Sequence, residues 1–187
     1  MAIRGVVDKK GFSYYCAPMF KKPICLVGFM GSGKSTLAEL LSEKLHIPFF
    51  DTDLEIEKRE KGAIHEIFLG CGEEGFRKIE AEVLKEIFDK NKKNFFVLAT
   101  GGGTLETKEN KKIVLENFTS VYLKTSFSEI KKRILEQKTY HRFLWREDSD
   151  QTLFTKRQPL YHEAHFVVTT DGKTPLHIAD KIISLLI

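Results

Sequence analysis

Apolar residues gather in five short runs, at 24–28, 47–50, 95–99, 119–123 and 166–170. Each run has the length of a strand buried on both faces. Between them apolar positions recur at helical spacing over 34–46, 53–60, 63–69, 74–90, 107–117, 126–137, 150–164 and 174–186. Strands that alternate with helices imply parallel pairing through crossover helices, and so an open α/β sheet covered on both faces. In such a sheet ligands bind beyond the carboxyl ends of the strands, which makes the strand ends the places to look for chemistry.

Two stretches fall outside this pattern. Residues 1–21 show neither helical nor strand periodicity and no apolar segment followed by a small-residue cleavage site, so they read as an N-terminal appendage, compatible with disorder, rather than a signal peptide. Met19 is a candidate alternative start. Residues 138–149 are polar and charged, with His141, Arg142, Arg146, Glu147 and Asp148, and read as an excursion from the sheet, a candidate lid. The expected organisation is one domain over 22–187 with that lid inside it.

The first strand runs directly into Gly-Phe-Met-Gly-Ser-Gly-Lys-Ser-Thr at 28–36, and a helical pattern follows. Strand, glycine-rich turn and helix with the spacing G-x-x-x-x-G-K-S form the phosphate-binding P-loop. Its glycines let successive N–H groups point into one concavity, to which the helix N-terminus adds partial positive charge. Lys34 carries a full charge to the outer phosphates, and the Ser35 hydroxyl is a Mg²⁺ ligand. This loop binds a nucleotide without naming the reaction.

Other strand ends carry further candidates. The second runs into Asp51-Thr52-Asp53. Two carboxylates opening a helix can be a cap and a first-turn acid and nothing more. A P-loop, however, requires a carboxylate on the metal side. The third strand, ending in Thr100-Gly101-Gly102-Gly103, has none. Asp51 is therefore the expected Mg²⁺ partner, leaving Asp53 to accept a hydrogen bond from a substrate hydroxyl. Three consecutive glycines cost backbone entropy and add no packing, so Gly101, Gly102 and Gly103 are read as backbone against which a ligand lies.

The chain holds 23 lysines but only seven arginines, so each arginine invites the question of what it grips. Arg77 lies three residues before Glu80 on a helical pattern, which is also the spacing of a simple surface ion pair. Arg157 precedes Pro159, which implies a kink or restart there. Cys16, Cys25 and Cys71 have no C-x-x-C spacing and are odd in number, which argues against both a disulfide framework and a zinc site. No apolar run approaches a membrane span, and the net charge of +4 is interspersed rather than gathered into a nucleic-acid-binding block. Partners are expected to be small molecules, with no nucleic acid and no membrane, in a reducing, cytoplasmic setting.

Taken together these residues resemble the shikimate kinase family. The matching pieces are the P-loop with Met30 in its third position, the Asp51-Thr52-Asp53 pair, Ile67-Phe68 followed by Gly72-Glu73, Phe76-Arg77-x-x-Glu80, the glycine triplet, Tyr122-Leu123-Lys124 and Arg157-x-x-x-Tyr161. They cover about residues 22–187. The P-loop alone is generic, whereas the Asp pair, Phe-Arg-x-x-Glu and glycine triplet at these relative positions are jointly specific. The resemblance implies a three-layer P-loop fold, with a central five-stranded parallel sheet, helices on both faces and a short lid. It also implies transfer of the ATP γ-phosphate to the 3-hydroxyl of shikimate, in chorismate and aromatic amino-acid biosynthesis, by a monomer. Met30, Gly31, Ser32, Gly33, Lys34, Ser35 and Thr36 would bind ATP, with Mg²⁺ on Ser35 and Asp51. Asp53 would bind the reacting hydroxyl, Arg77 and Arg157 the carboxylate, and the Gly101–Gly103 triplet the ring hydroxyls.

The lid departs from the family's usual Arg-Pro-Leu, since this chain has Arg142-Phe143-Leu144-Trp145. Arg142 occupies the matching position and is a candidate for the ATP phosphates. Lys173 is the nearest candidate for the basic residue that the family places near adenine. Two rivals remain: another small P-loop kinase acting on gluconate or a nucleoside monophosphate, and a non-catalytic nucleotide-binding module. A GTP switch is disfavoured because no Asn-Lys-x-Asp sequence occurs.

Overall fold

The protein is described by a computed structural model, covering residues 6–7, 13–14, 21–136 and 147–186. Arg142, Phe143, Trp145 and most of the expected lid lie outside the described residues, as do Cys16 and Met19. The strands are β1 (Ile24–Val27), β2 (Phe49–Asp51), β3 (Val97–Ala99), β4 (Thr119–Lys124) and β5 (Phe166–Thr169). The helices are α1 (Lys34–Leu45), α2 (Thr52–Glu60), α3 (Ile64–Asn91), α4 (Lys108–Asn117), α5 (Phe127–Glu136), α6 (Glu147–Tyr161) and α7 (Pro175–Leu186). All four strand pairings are parallel, in the order β2-β3-β1-β4-β5. Val6–Val7 and Ser13–Tyr14 pair antiparallel, in a stretch whose sequence shows no strand pattern.

The two faces of the sheet follow from the alternation of side chains along each strand. Cys25, Val27, Leu98 and Tyr122 face a layer that includes Phe76, Val83, Leu84 and Ile87 of α3, Ile130 and Ile134 of α5, and Phe154 and Tyr161 of α6. Their neighbours Ile24, Leu26, Val97, Ala99, Val121 and Leu123 face Leu37, Ala38 and Leu41 of α1 and Ile178, Ala179 and Ile182 of α7. β1 and β3 are wholly buried, whereas the edge strands β2 and β5 show exposed positions. This is the expected three-layer fold. The central position of β1 brings the loop after it to the middle of the carboxyl edge, between the ends of β3 and β4.

The helical patterns at 63–69 and 74–90 are the two arms of α3, separated as expected by a kink at the non-helical Gly72 (φ 68°, ψ 179°), a backbone conformation that favours glycine. Two other boundaries differ from expectation for definable reasons. The second strand starts at Phe49 rather than residue 47; Pro48 lacks an N–H, but its carbonyl still accepts from Val97. α6 runs through Pro159 and ends two residues later at Tyr161, so the break implied by proline falls at the helix terminus.

Candidate active site

Gly28, Gly31 and Gly33 of the loop after β1 have φ of 149°, 74° and 93°, in the region that L side chains rarely adopt. Gly33 is the N-cap of α1; no side chain caps this helix, and no acid lies in its first turn. Its leading N–H groups and positive pole are thus directed at the loop. The Lys34 ammonium donates to the Gly28 and Phe29 carbonyl oxygens, each at 2.9 Å. Burial pushes Lys34 down to about 8, against the pull of the Asp53 and Asp51 charges, with Arg157 adding to the depression.

The Ser35 hydroxyl donates to one oxygen of Asp51 at 2.6 Å, while the other accepts from the Asp53 and Leu54 N–H groups at 3.0 and 3.4 Å. Asp51 is thus both the cap of α2 and the neighbour of the P-loop serine. The cap read from the sequence is present, and the same carboxylate meets the P-loop serine through its other oxygen. Among the described residues no group of three or more His, Cys, Asp or Glu gathers as a metal cage. A hydroxyl and a carboxylate side by side nevertheless suit Mg²⁺, which takes one or two protein oxygens and completes its octahedron with phosphate and water.

Asp53 is the second residue of α2, in its first turn, half-buried. Burial pushes its carboxyl up to about 7, helped by the Asp51, Glu80 and Glu57 charges and opposed by Lys34. The glycine triplet is held at the same place. Thr52 Oγ1 accepts from the Gly101 N–H at 2.8 Å, and the Tyr161 hydroxyl donates to the Gly102 carbonyl at 2.5 Å.

A β-carbon built on each glycine reveals what the triplet touches. At Gly101 it would lie 2.8 Å from Glu80 Oε1 and 2.9 Å from Asp53 Oδ1. At Gly102 it would lie 3.4 Å from the Met30 backbone nitrogen and 3.6 Å from Arg157 Nη1. At Gly103 it would lie 2.6 Å from Arg77 Cζ, inside van der Waals contact. Three residues thus adjoin the Asp53 carboxylate, the P-loop and both arginines; a side chain at Gly101 or Gly103 would have to displace a neighbour, whereas at Gly102 it would meet only ordinary van der Waals contacts.

Arg77 donates to Glu80 Oε2 and Glu106 Oε2, both at 3.0 Å. The i,i+3 pair expected at the surface therefore exists but is buried, since Glu80 is 0% exposed. Glu80 also accepts from Thr104 Oγ1 at 2.7 Å. Arg157 donates to the same Glu106 oxygen at 2.7 Å, which brings the two arginines together from α3 and α6. Its buried Nε has no hydrogen-bond partner among the described residues. Glu106, in a short 3₁₀ turn at Thr104–Glu106, is the site residue that no sequence motif announces.

From the P-loop a cleft of about 570 Å³ extends along Arg133 of α5, Lys173 and Pro175. Arg133 donates to the Ser32 and Thr170 carbonyls at 3.3 and 3.4 Å, so it is tied to the P-loop itself. It is a second residue that lacked a sequence signal, and Lys173 lines the same cleft. A separate cleft of about 340 Å³ between α2 and α3 is lined by Lys58, Arg59, Glu86 and Lys90, whose charges are paired with one another or with neighbouring acids.

This constellation can be compared with known proteins. The family model described as shikimate kinase matches residues 30–187. The chain belongs to the shikimate kinase family. It is 36% identical over 162 residues to the shikimate kinase of Bacillus cereus (strain AH187), covering 86% of this chain and 96% of that one. It is 40% identical over 165 residues to that of Thermodesulfovibrio yellowstonii, covering 87% and 93%. Among solved structures, the Acinetobacter baumannii shikimate kinase in complex with shikimate superposes with a TM-score of 0.80 at 36% identity, covering 88% of this chain and 92% of that one. Family membership makes this chain an ATP-dependent phosphotransferase and sets aside the gluconate, nucleotide and non-catalytic alternatives.

Proposed function

We propose that this shikimate kinase moves the ATP γ-phosphoryl group to the 3-hydroxyl of shikimate with the residues that converge on the glycine triplet. The carrying observation is that convergence: Gly101 to Gly103 adjoin Asp53, Met30 of the P-loop, Arg157 and Arg77 in turn. ATP phosphates lie in the cradle of residues 30–36 at the head of α1, with the nucleoside running along the cleft past Arg133, Lys173 and Pro175. Binding phosphate exchanges the Lys34 contacts to its own loop carbonyls for contacts to the outer phosphates. Ser35 and Asp51 would hold Mg²⁺, which neutralises charge on the phosphates as transfer proceeds.

On the acceptor side, Asp53 receives the hydrogen bond of the attacking hydroxyl. With its carboxyl pushed up to about 7, it is a proton acceptor matched to neutral pH. A loose transition state requires little base strength, so alignment of that oxygen with the phosphorus is the larger contribution. Arg77 and Arg157 take the substrate carboxylate, for which the unpartnered Nε–H of Arg157 supplies a further donor. Lys34 and Arg142, the latter assigned by its motif position, neutralise the transferred group.

The monomer implied by the family resemblance is part of this proposal. No described helix is long and apolar enough to cross a membrane, and Cys25 and Cys71 are free thiols, which fits a cytoplasmic enzyme supplied with ATP. An ADP-release assay with ATP and Mg²⁺ tests the reading: release should depend on shikimate and not on gluconate or CMP. Release independent of shikimate would refute it.

A further inference from the structure

Glu106 holds both substrate-side arginines at once. One of its carboxylate oxygens accepts from Arg77 at 3.0 Å and from Arg157 at 2.7 Å. Burial by itself would raise the Glu106 carboxyl, but the Arg157 hydrogen bond and the charges of Arg157, Arg77 and Lys156 hold it below the usual carboxylate range. Glu106 is therefore an anion seated between the two guanidinium groups assigned to the substrate's carboxylate.

A charge count shows what this entails. Arg77 and Arg157 are compensated by the buried Glu80 and by Glu106, and the exposed Glu73, 3.7 Å from Arg77, and Lys156, 3.6 Å from Glu106, keep the two signs equal at three charges each. A substrate carboxylate arriving here adds an uncompensated negative charge in a poorly solvated place, where like charges repel strongly. Glu80 cannot yield: it is fully buried, and its other oxygen is bound to Thr104. Glu106 can, because it stands on a single 3₁₀ turn at the edge of the site. Its second oxygen lies 3.6 Å from Lys156, an exposed cation able to receive it.

We propose that Glu106 tunes substrate affinity as an internal carboxylate that competes with the substrate carboxylate for Arg77 and Arg157 and moves toward Lys156 when an acid substrate binds. This rests on the assignment of the two arginines to the acid group of shikimate. The competition lowers affinity for a ligand that must take the arginines with its own carboxylate. A neutral ligand gains nothing from evicting it.

The test is titration calorimetry of wild type and Glu106→Gln with shikimate and with its methyl ester. If Glu106 occupies the arginines about nine-tenths of the time, the variant should bind shikimate about 10-fold more tightly. The ester, lacking the charge, should change by less than about 2-fold. Should Glu106→Gln not fold, Glu106→Asp, whose shorter reach loosens the same bridge, must shift shikimate binding in the same direction. Unchanged or weaker shikimate binding overturns the proposal, weaker binding meaning that Glu106 positions the arginines rather than competing for them. An equal gain for the ester overturns it as well. A wild type that releases ADP with shikimate separates any such failure from failure of the functional reading itself.

Discussion

The Ser35 hydroxyl donates to one carboxylate oxygen of Asp51 at 2.6 Å, while the other oxygen of that carboxylate caps α2. One side chain thus joins the P-loop helix to the helix that carries Asp53. Its two functions are separable because they use different oxygens and differ in their need for charge. Asp51→Asn keeps an amide oxygen for the cap and removes the charge. It should leave stability within about 0.5 kcal/mol and raise the Mg²⁺ concentration required for half-maximal activity. Asp51→Ala should in addition destabilise by about 1 kcal/mol through the lost cap. Thermal melts beside Mg²⁺ titrations of activity check both; equal Mg²⁺ requirements in Asp51→Asn and wild type would take Asp51 away from the metal.

Gly103→Ala should act on one substrate and not the other. Its new methyl group would meet the Arg77 guanidinium, whose Cζ lies 2.6 Å from the ideal β-carbon position. Arg77 is anchored by Glu80 and Glu106, so it must give up one of those contacts to make room. The expected result is a rise of about tenfold, ~1.4 kcal/mol, in KM for shikimate with KM for ATP unchanged. Steady-state kinetics with each substrate varied in turn measures it. A similar rise for ATP would mean that the triplet acts through the P-loop instead.

Much of this site was legible because its residues sit in motifs whose spacing has a mechanical reason. The P-loop glycines, the Asp51 and Asp53 pair and the triplet lie at the ends of β1, β2 and β3, and the alternating pattern fixes those ends to within two residues. Arg77 and Arg157 were ambiguous for a physical reason: i,i+3 spacing to Glu80 describes a surface pair and a buried one equally well, and only tertiary packing distinguishes them. Glu106 and Arg133 carried no signal, since the contacts that tie each to the site lie 29 or more residues away, Arg77 and Arg157 for one and Ser32 and Thr170 for the other, and the local Arg133–Glu129 pair describes any helix surface.

Arg142 is assigned by its position in the lid motif alone, and its role should register in turnover. A guanidinium that reaches the phosphates only as the site closes stabilises the transferring group more than either bound substrate. Arg142→Ala should then lower kcat on the order of 100-fold, with shikimate affinity altered by less than about threefold. Pre-steady-state phosphate transfer alongside equilibrium binding distinguishes the two. Unchanged turnover would remove Arg142 from the mechanism and leave Lys34 as the main positive charge on the phosphoryl group.

Asp53 yields the sharpest prediction, because its environment fixes both a pH dependence and a stability effect. Its carboxyl is pushed up to about 7 by burial and by its acidic neighbours, and Lys34 is pushed down to about 8. The free enzyme is competent when Asp53 is ionised and Lys34 protonated, so kcat/KM for shikimate should be bell-shaped, rising through about 7 and falling through about 8. The two limbs belong to the coupled pair rather than to either residue alone. Stability runs the other way. The folded state holds a proton on Asp53 that the unfolded chain releases above its ordinary value of 3.8, so wild type loses stability as pH rises from about 4 to about 7. Asp53→Asn carries no such proton. It should abolish transfer, leave ATP binding nearly intact, and melt higher than wild type at pH 8, with the gain shrinking below 7 and vanishing near 4. Loss of ATP affinity comparable to the loss of transfer would reassign Asp53 to the metal, and a melting difference independent of pH would show that its carboxyl is not raised.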